Sequence, residues 1–282
     1  MNRFLASVAR QTGGPLSLVL RVFDFEKNDA RLGLNFARIM LRDRFLGSSL
    51  GSAWAVLNPV VMLLLFWFVF SVVYKSRLPG SNSSLSYVIW MFSGYGPWLA
   101  NSEAIVNGTN SVVSQGSVIK NMAFKTEILP FSAAAVAVVP MAVSFVMVLI
   151  LLLLDGRGPN LTWTILPIVL MLQMGFVIGI GLVLGSSQVF VRDIAQILPN
   201  LLTLMLFLSP IFYPLEQFPA AVRPIAELNP FYLIANCYRE PILSGHWPPP
   251  LELFALVIWT VGSMCFGLWY FRRLKNYFTD RI

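Results

Sequence analysis

Five stretches of this chain, residues 53–74, 128–154, 158–191, 194–215 and 253–271, contain no Asp, Glu, Lys or Arg. A helix needs roughly 20 apolar residues to cross the hydrocarbon core of a bilayer, so each stretch is long enough to span it. A soluble domain of 282 residues could not hide so much apolar sequence in one core, with 57% of its residues hydrophobic and 12% charged. The chain is therefore read as a polytopic membrane protein. Strands of a transmembrane barrel would alternate in polarity over segments of about ten residues. These runs are continuously apolar, which makes the fold all-α. A sixth and weaker candidate, residues 85–101, is interrupted by Ser93-Gly94-Tyr95-Gly96-Pro97. The expected architecture is six transmembrane helices, at residues 53–74, 85–101, 128–154, 161–188, 194–214 and 252–271, in a single domain covering residues 1–282.

The distribution of Lys and Arg sets the orientation, because cytoplasmic loops carry the excess. With the N-terminus inside, fifteen of the 20 basic residues fall on the cytoplasmic side and five outside, so both termini are expected in the cytoplasm. The pI near 9.7 follows from this bias. It is read as contact with anionic lipid headgroups, with no nucleic-acid partner. The polar, basic segment before residue 53 lacks the short apolar core and small-residue cleavage site of a leader peptide, so no segment is expected to be removed. Cys237 and Cys265 fall in an outer segment and inside the last span, and are read as free thiols. His246 has no second ligand at metal-binding spacing, so no metal and no cofactor are expected.

Residues 27–50 pair apolar Leu32, Leu34, Phe36, Ile39, Met40 and Phe45 with Arg31, Arg38, Arg42 and Arg44 at helical spacing. This reads as an amphipathic interface helix with its apolar side towards lipid. Gly47, Ser48, Ser49, Gly51 and Ser52 then form an elbow into the membrane, with Trp54 where interfacial tryptophans collect. Residues 101–127 are too polar to span and read as a short cytoplasmic helical hairpin, after which Pro130 opens the third span. Between spans five and six, Pro-punctuated pieces near 219–228 and 231–243 read as two short outer re-entrant helices, a geometry tolerated only where backbone is covered by protein or lines a cavity.

Several chemistries are missing. Ion-coupled carriers place titratable residues within their spans, and the long runs hold none. An ion-coupled secondary transporter using an unwound backbone site stays open as the rival from another class. The acids Glu103, Glu127, Asp193, Glu216, Glu227, Glu240 and Glu252 are scattered, and Arg192-Asp193 and Arg239-Glu240 read first as interfacial pairs. That scatter offers no hydrolase or transferase centre, so the chain is not read as an enzyme. No phosphate-binding loop of the G-x-x-x-x-G-K-[ST] type occurs. ATP, if it drives transport here, must be bound by another subunit.

Three motifs in order carry a resemblance: RDRFLGSSLGSAWAVLNPVVMLLLFWFVFSVVY at the first span, VFVRDIAQILPNLLTLMLFLSPIFYP over 189–214, and LNPFYLIANCYREPILSG over 228–245. Together they resemble ABC-2 type permeases that export polysaccharides, over about residues 30–275. The resemblance implies a homodimer of six-span subunits in the bacterial cytoplasmic (inner) membrane, bound to two copies of a cytoplasmic ABC ATPase subunit. It implies an undecaprenyl-diphosphate-linked glycan as cargo, of O-antigen kind. Capsular polysaccharide and teichoic acid are the alternatives; the segment ANCYRE departs from the capsule exporters' pattern.

Candidate site residues follow. Arg38, Arg42 and Arg44 stand just before the elbow, where guanidinium forks can pair with phosphate oxygens at a substrate entrance or simply anchor a surface helix to lipid. The resemblance adds Leu50-Gly51, and Trp54 adjoins them. Phe66, Phe70, Tyr74, Trp90, Tyr95 and Trp98 belong to the densest aromatic group and are expected either to line a glycan channel or to form an interfacial belt. Asn58-Pro59 reads as a kink or as a substrate contact. Tyr213, Asn229, Pro230, Tyr238 and Arg239 are assigned to an outer gate by the matched motifs. Arg31, Asn107, Ser114 and Lys120 are assigned to ATPase coupling, and Arg192 to headgroups, to Asp193 or to the ATPase.

Overall fold

The computed structural model describes residues 27–76, 84–122 and 124–281, and every regular element among them is helical. Helix α1, Lys27–Asp43, ends before residue 50 because the chain turns through Gly47 at φ +82° and Gly51 at φ +52°. Glycine meets such angles without steric cost. The apolar residues of α1, expected to face lipid, divide between protein and the exposed surface. Phe36 and Ala37 are buried against the protein, Phe36 lies 5.5 Å from the Phe124 ring, and the Ser132 hydroxyl donates to the Gly33 carbonyl at 2.9 Å. Arg31, Arg38 and Arg42 stay exposed, as do Leu34 and Ile39.

Helix α2, Trp54–Trp67, is entered by a 3₁₀ turn at Gly51–Ala53 and leaves through a π-helical turn at Phe68–Val73. Helix α3, Ser84–Ser114, is one helix of 31 residues. The hairpin expected over 101–127 is thus mostly the continuation of the second apolar segment, and the chain turns only at Gln115 before α4, Gly116–Asn121. The polar residues do not stop α3 because their hydroxyls bond back within it. Thr109 donates to Ile105 O at 2.7 Å and Ser111 to Gly108 O at 2.7 Å, so both buried hydroxyls find their acceptors inside the helix.

Helices α5, Ile128–Val136, and α6, Val138–Leu154, form one apolar rod broken at Ala137. Pro140 has no N–H to give the Val136 carbonyl, which accounts for the break. Then come α7, Leu166–Gln188, preceded by a 3₁₀ turn at Leu161–Ile165, and α8, Ile194–Leu208. Short α9, Arg223–Glu227, and α10, Pro230–Arg239, precede the long α11, Pro250–Leu274, and the terminal turn α12, Phe278–Arg281. Among the described residues, four helical stretches are long and apolar enough to cross a membrane: Gly51–Val73, Ile128–Leu154, Leu161–Gln188 and Pro250–Tyr277. Helix α8 is shorter than the 194–214 expected, because Ser209 and Pro210 leave the helix.

Helix α7 is the centre of the bundle, with α3 on one side and α11 on the other. Two glycine pairs at i, i+4 spacing make both contacts close. Gly181 and Gly185 face Gly108, while Gly175 and Gly179 face Thr260, Ser263, Met264 and Gly267. Small residues at such seams let helix backbones touch, which is how helices gain contact where no hydrophobic effect drives them together. Two hydrophobic clusters result among the described residues. One, with Phe36, Val112, Leu129, Leu182, Phe271 and Phe278, lies at the end carrying α1. The larger fills the middle and far end.

At the α1 end Glu127, buried just ahead of α5, accepts from Lys275 Nζ at 2.9 Å and Arg272 Nε at 3.3 Å. Burial alone would raise its carboxyl. The Lys275 charge and hydrogen bond, Glu127's own backbone N–H and the Arg272 charge outweigh that, and hold it below the ordinary carboxylate value.

Candidate functional site: a cleft beside the first apolar helix

Helix α2 is the least buried of the long helices and leans on α6 more than on α3. Between α2 and α8, floored by α3, this leaves a cleft of about 410 Å³. Asn58, Pro59 and Met62 line it from α2, Pro199, Leu202 and Leu206 from α8, and Tyr95, Trp98, Glu103 and Asn107 from α3. Arg44 closes it at the α1 end, where its guanidinium pairs with the Glu103 carboxylate. The two residues are 59 apart in sequence. The cleft thus runs from an ion pair, through amide side chains, to the nearly buried rings of Tyr95 and Trp98.

Above it stands an aromatic cluster. Phe212 is its hub, with ring centroids 4.6 Å from Phe66, 5.1 Å from Phe70 and 5.3 Å from Tyr95. Phe66 also meets Tyr95 edge-on at 4.6 Å, and the Tyr87 hydroxyl donates to Phe212 O at 2.7 Å. Edge and offset geometries at these separations are the favoured ones.

Behind the cleft, Arg239 is buried without a carboxylate, so the expected Arg239–Glu240 pair does not form. Its fork donates to Pro210 O at 2.9 Å, Ile211 O at 2.6 Å and Trp90 O at 3.3 Å, and its Cζ lies 3.8 Å from the Trp90 ring centroid. The Pro210 and Ile211 carbonyls lie past the end of α8, where no helical N–H meets them, and a guanidinium with five N–H groups can serve both and reach the Trp90 carbonyl of α3 as well. A Cβ on Gly94 would collide with this guanidinium, which explains the glycine. A second polar knot ties the same region to α7: Tyr238 OH donates to Gln173 Oε1 at 2.8 Å, and Gln173 Nε2 donates to Asn101 Oδ1 at 2.8 Å and Pro97 O at 3.0 Å.

Of the residues the sequence assigned to an entrance, Arg44 lies on the cleft, while Arg38 and Arg42 are exposed on α1. Leu50 and Gly51 form the turn into α2, with Leu50 exposed and Trp54 half-buried at its first position. Among the channel candidates, Tyr95 and Trp98 line the cleft, Phe66 and Phe70 join the Phe212 cluster, Trp90 lies beneath Arg239, and Tyr74 is exposed at the far end of α2. Of the gate candidates, Asn229 caps α10, accepting from Phe231 N at 3.0 Å and donating to Ser209 Oγ at 2.9 Å, with Pro230 at the first helical position. Tyr213 OH donates to Phe207 O, and Tyr238 is fully buried. The coupling candidates divide: Asn107 lines the cleft, whereas Arg31, Ser114 and Lys120 are exposed near the α1 end. Arg192 and Asp193 are exposed in the turn before α8. Sequence reading overlooked Glu103, Phe212 and Gln173 as site residues. Gln173 carried a signal, a lone amide within an apolar run.

This architecture has relatives. Residues 33–243 match the family described as ABC-2 type transporter. The chain belongs to that family. A permease protein of an O-antigen export system from Myxococcus xanthus, RfbA, is 27% identical over 232 residues, which is 79% of this chain and 87% of the relative. An RfbA from Klebsiella pneumoniae is 23% identical, covering 85% and 90%. The polysialic acid transport protein KpsM of Escherichia coli is 21% identical, covering 82% and 89%. The matched region of this ABC-2 type chain contains every residue of the cleft named above.

Proposed function

We propose that this chain is the permease subunit of an ATP-driven exporter that moves an undecaprenyl-diphosphate-linked polysaccharide of O-antigen kind across the bacterial cytoplasmic membrane. The observation that carries the reading is the α2–α8 cleft, with an arginine at one end and the rings of Tyr95 and Trp98 deeper in, in a chain similar to permeases named for O-antigen export. Guanidinium forks suit phosphate oxygens. Sugar rings have apolar C–H faces that lie against aromatic side chains and slide without strong individual contacts. A capsular polysaccharide is the second reading, favoured by the likeness to the polysialic acid transport proteins.

In this reading residues 1–282 form one transmembrane domain with six spans, at 53–74, 85–101, 128–154, 161–188, 194–214 and 252–271. The α1 end and both termini face the cytoplasm, and α9 and α10 dip into the outer leaflet. Two copies pair to enclose the path, and two ABC ATPase subunits dock beneath them on the face carrying Arg31, Ser114 and Lys120. The Leu50-Gly51 turn and Arg44 receive the lipid-linked diphosphate. The cluster of Phe66, Phe70, Tyr95 and Phe212, with Tyr213, Asn229, Pro230, Tyr238 and Arg239 holding the far end, borders its exit. An ion-coupled mechanism is disfavoured by the absence of acidic or basic residues from the long apolar runs.

The test is co-purification from the native host. The chain should bring down a soluble nucleotide-binding subunit in equal amount, and the complex should hydrolyse ATP faster when a lipid-linked glycan is added. A chain that purifies alone and transports under an ion gradient would refute the reading.

A further inference from the structure

Arg44 stands where two cavities meet. The α2–α8 cleft and a second pocket of about 370 Å³ between the end of α1 and the end of α3 share two lining residues, Arg44 and Asn107. Glu103 precedes Asn107 by one helical turn, on the same face of α3. Its ion pair with Arg44 therefore lies across the junction of the two spaces. The pair is neither sealed nor free: 41% of the Arg44 side chain and 18% of the Glu103 side chain are exposed. Arg38 and Arg42, the neighbouring cations of α1, line neither cavity.

We propose that Glu103 is a displaceable counter-ion: it holds Arg44 across this junction until the diphosphate of the lipid-linked donor takes its place, and it recaptures Arg44 once the headgroup has moved on. This deepens, and rests on, the substrate reading given above. Carboxylate and phosphate compete for the same guanidinium fork. A diphosphate carries more charge and more acceptor oxygens than one carboxylate, and so wins the exchange. The phosphodiester of a bulk phospholipid carries a single charge and does not. The acid thus sets a threshold that keeps Arg44 from being a standing trap for the surrounding membrane. Once displaced, Glu103 faces an anion of its own sign, and that repulsion favours release along the cleft. Glu103 is accordingly a specificity-determining residue that acts through Arg44.

The test uses the whole permease–ATPase complex in nanodiscs of phosphatidylethanolamine and phosphatidylglycerol. An undecaprenyl-diphosphate-linked oligosaccharide is titrated and ATP turnover is read. Glu103→Gln, nearly isosteric, should lower the half-stimulating donor concentration by roughly two- to fivefold, the worth of one half-exposed ion pair. It should also let phosphatidylglycerol raise turnover without donor. Glu103→Asp, with a shorter reach, should shift it less in the same direction, and carries the test if the glutamine variant does not assemble. Arg44→Gln should raise the half-stimulating concentration, and the double variant should match Arg44→Gln alone, the non-additivity of two groups acting as one. Inorganic pyrophosphate should shift nothing; an equal response to it would overturn the lipid-borne source. A half-stimulating concentration left unchanged or raised by Glu103→Gln, in a complex whose wild type responds to donor, would overturn the counter-ion role alone. A wild type that ignores the donor would overturn the substrate reading itself.

Discussion

The packing of α7 on α11 makes a prediction with opposite signs at two glycines. A Cβ on Gly179 would stand 2.6 Å from Met264 N and 2.6 Å from Ser263 O, about 0.8 Å short of ordinary contact. These are backbone atoms, so no rotamer change relieves the overlap, and the two helices must part along their seam. Overpacking of this kind costs about 1–3 kcal/mol, against which alanine's better helix propensity returns at most about 1 kcal/mol. Gly262, on the other side of α11, has no atom within 4 Å of its would-be Cβ. Gly262→Ala should therefore leave stability unchanged or slightly raised. At about 2–4 °C per kcal/mol for a chain of this size, Gly179→Ala should melt several degrees below wild type and Gly262→Ala should not. The chain supplies its own reporter: Cys237 and Cys265 are buried free thiols that a fluorogenic maleimide reaches on unfolding in detergent. Equal melting of the two variants, or a Gly179→Ala protein as stable as wild type, would refute the close backbone seam.

Three further outcomes are expected. Arg239→Met leaves the Pro210 and Ile211 carbonyls without donors, at about 1–3 kcal/mol each, and Arg239→Lys recovers only part because an ammonium lacks the planar fork; melting temperature should fall from wild type through Lys to Met, and a Met variant of native stability would sink the clamp. Because the folded state holds the Glu127 carboxyl below its ordinary value, the stabilisation is complete above the unfolded value and lost as pH falls through the folded one. The melting gap between wild type and Glu127→Gln should accordingly be largest near neutral pH and close in acid, and a gap independent of pH would refute the pairing with Lys275 and Arg272. For topology, Gly158→Cys and His246→Cys should react with an impermeant thiol reagent in intact spheroplasts while Ser117→Cys and Tyr277→Cys should not; the reverse pattern would invert the proposed orientation.

Helix class and the positions of the long apolar rods were legible because uncharged runs leave the backbone one way to satisfy itself in lipid. What failed to show had local causes. The 31-residue α3 was hidden by its Ser, Thr and Asn content, since a hydroxyl that bonds back to its own helix looks in sequence like one that ends it. The burial of α1 on α5 was hidden because periodicity says that Phe36 has an apolar partner without saying whether that partner is lipid or a ring of the protein, here Phe124. Arg239 beside Glu240 suggested a pair, but successive residues on a helix point away from each other, and the orphaned end of α8 took the cation instead. Arg44 was singled out from its chemistry, whereas Glu103, 59 residues on, became visible only when α3 brought it to the same cleft. Phe212 lay in the Ser-Pro-Ile-Phe-Tyr-Pro run, whose break from helix turns its ring into the aromatic cluster.

The most direct measurement is transport itself. Inverted proteoliposomes holding the chain and its ATPase subunit would be given an undecaprenyl-diphosphate-linked glycan on the outer, cytoplasm-equivalent face. ATP, and not a proton or sodium gradient, should render the glycan inaccessible to an added glycosidase, and Arg44→Gln should slow this several-fold while the complex stays assembled. Glycan that stays accessible with ATP, or becomes protected under an ion gradient alone, would contradict ATP-driven export.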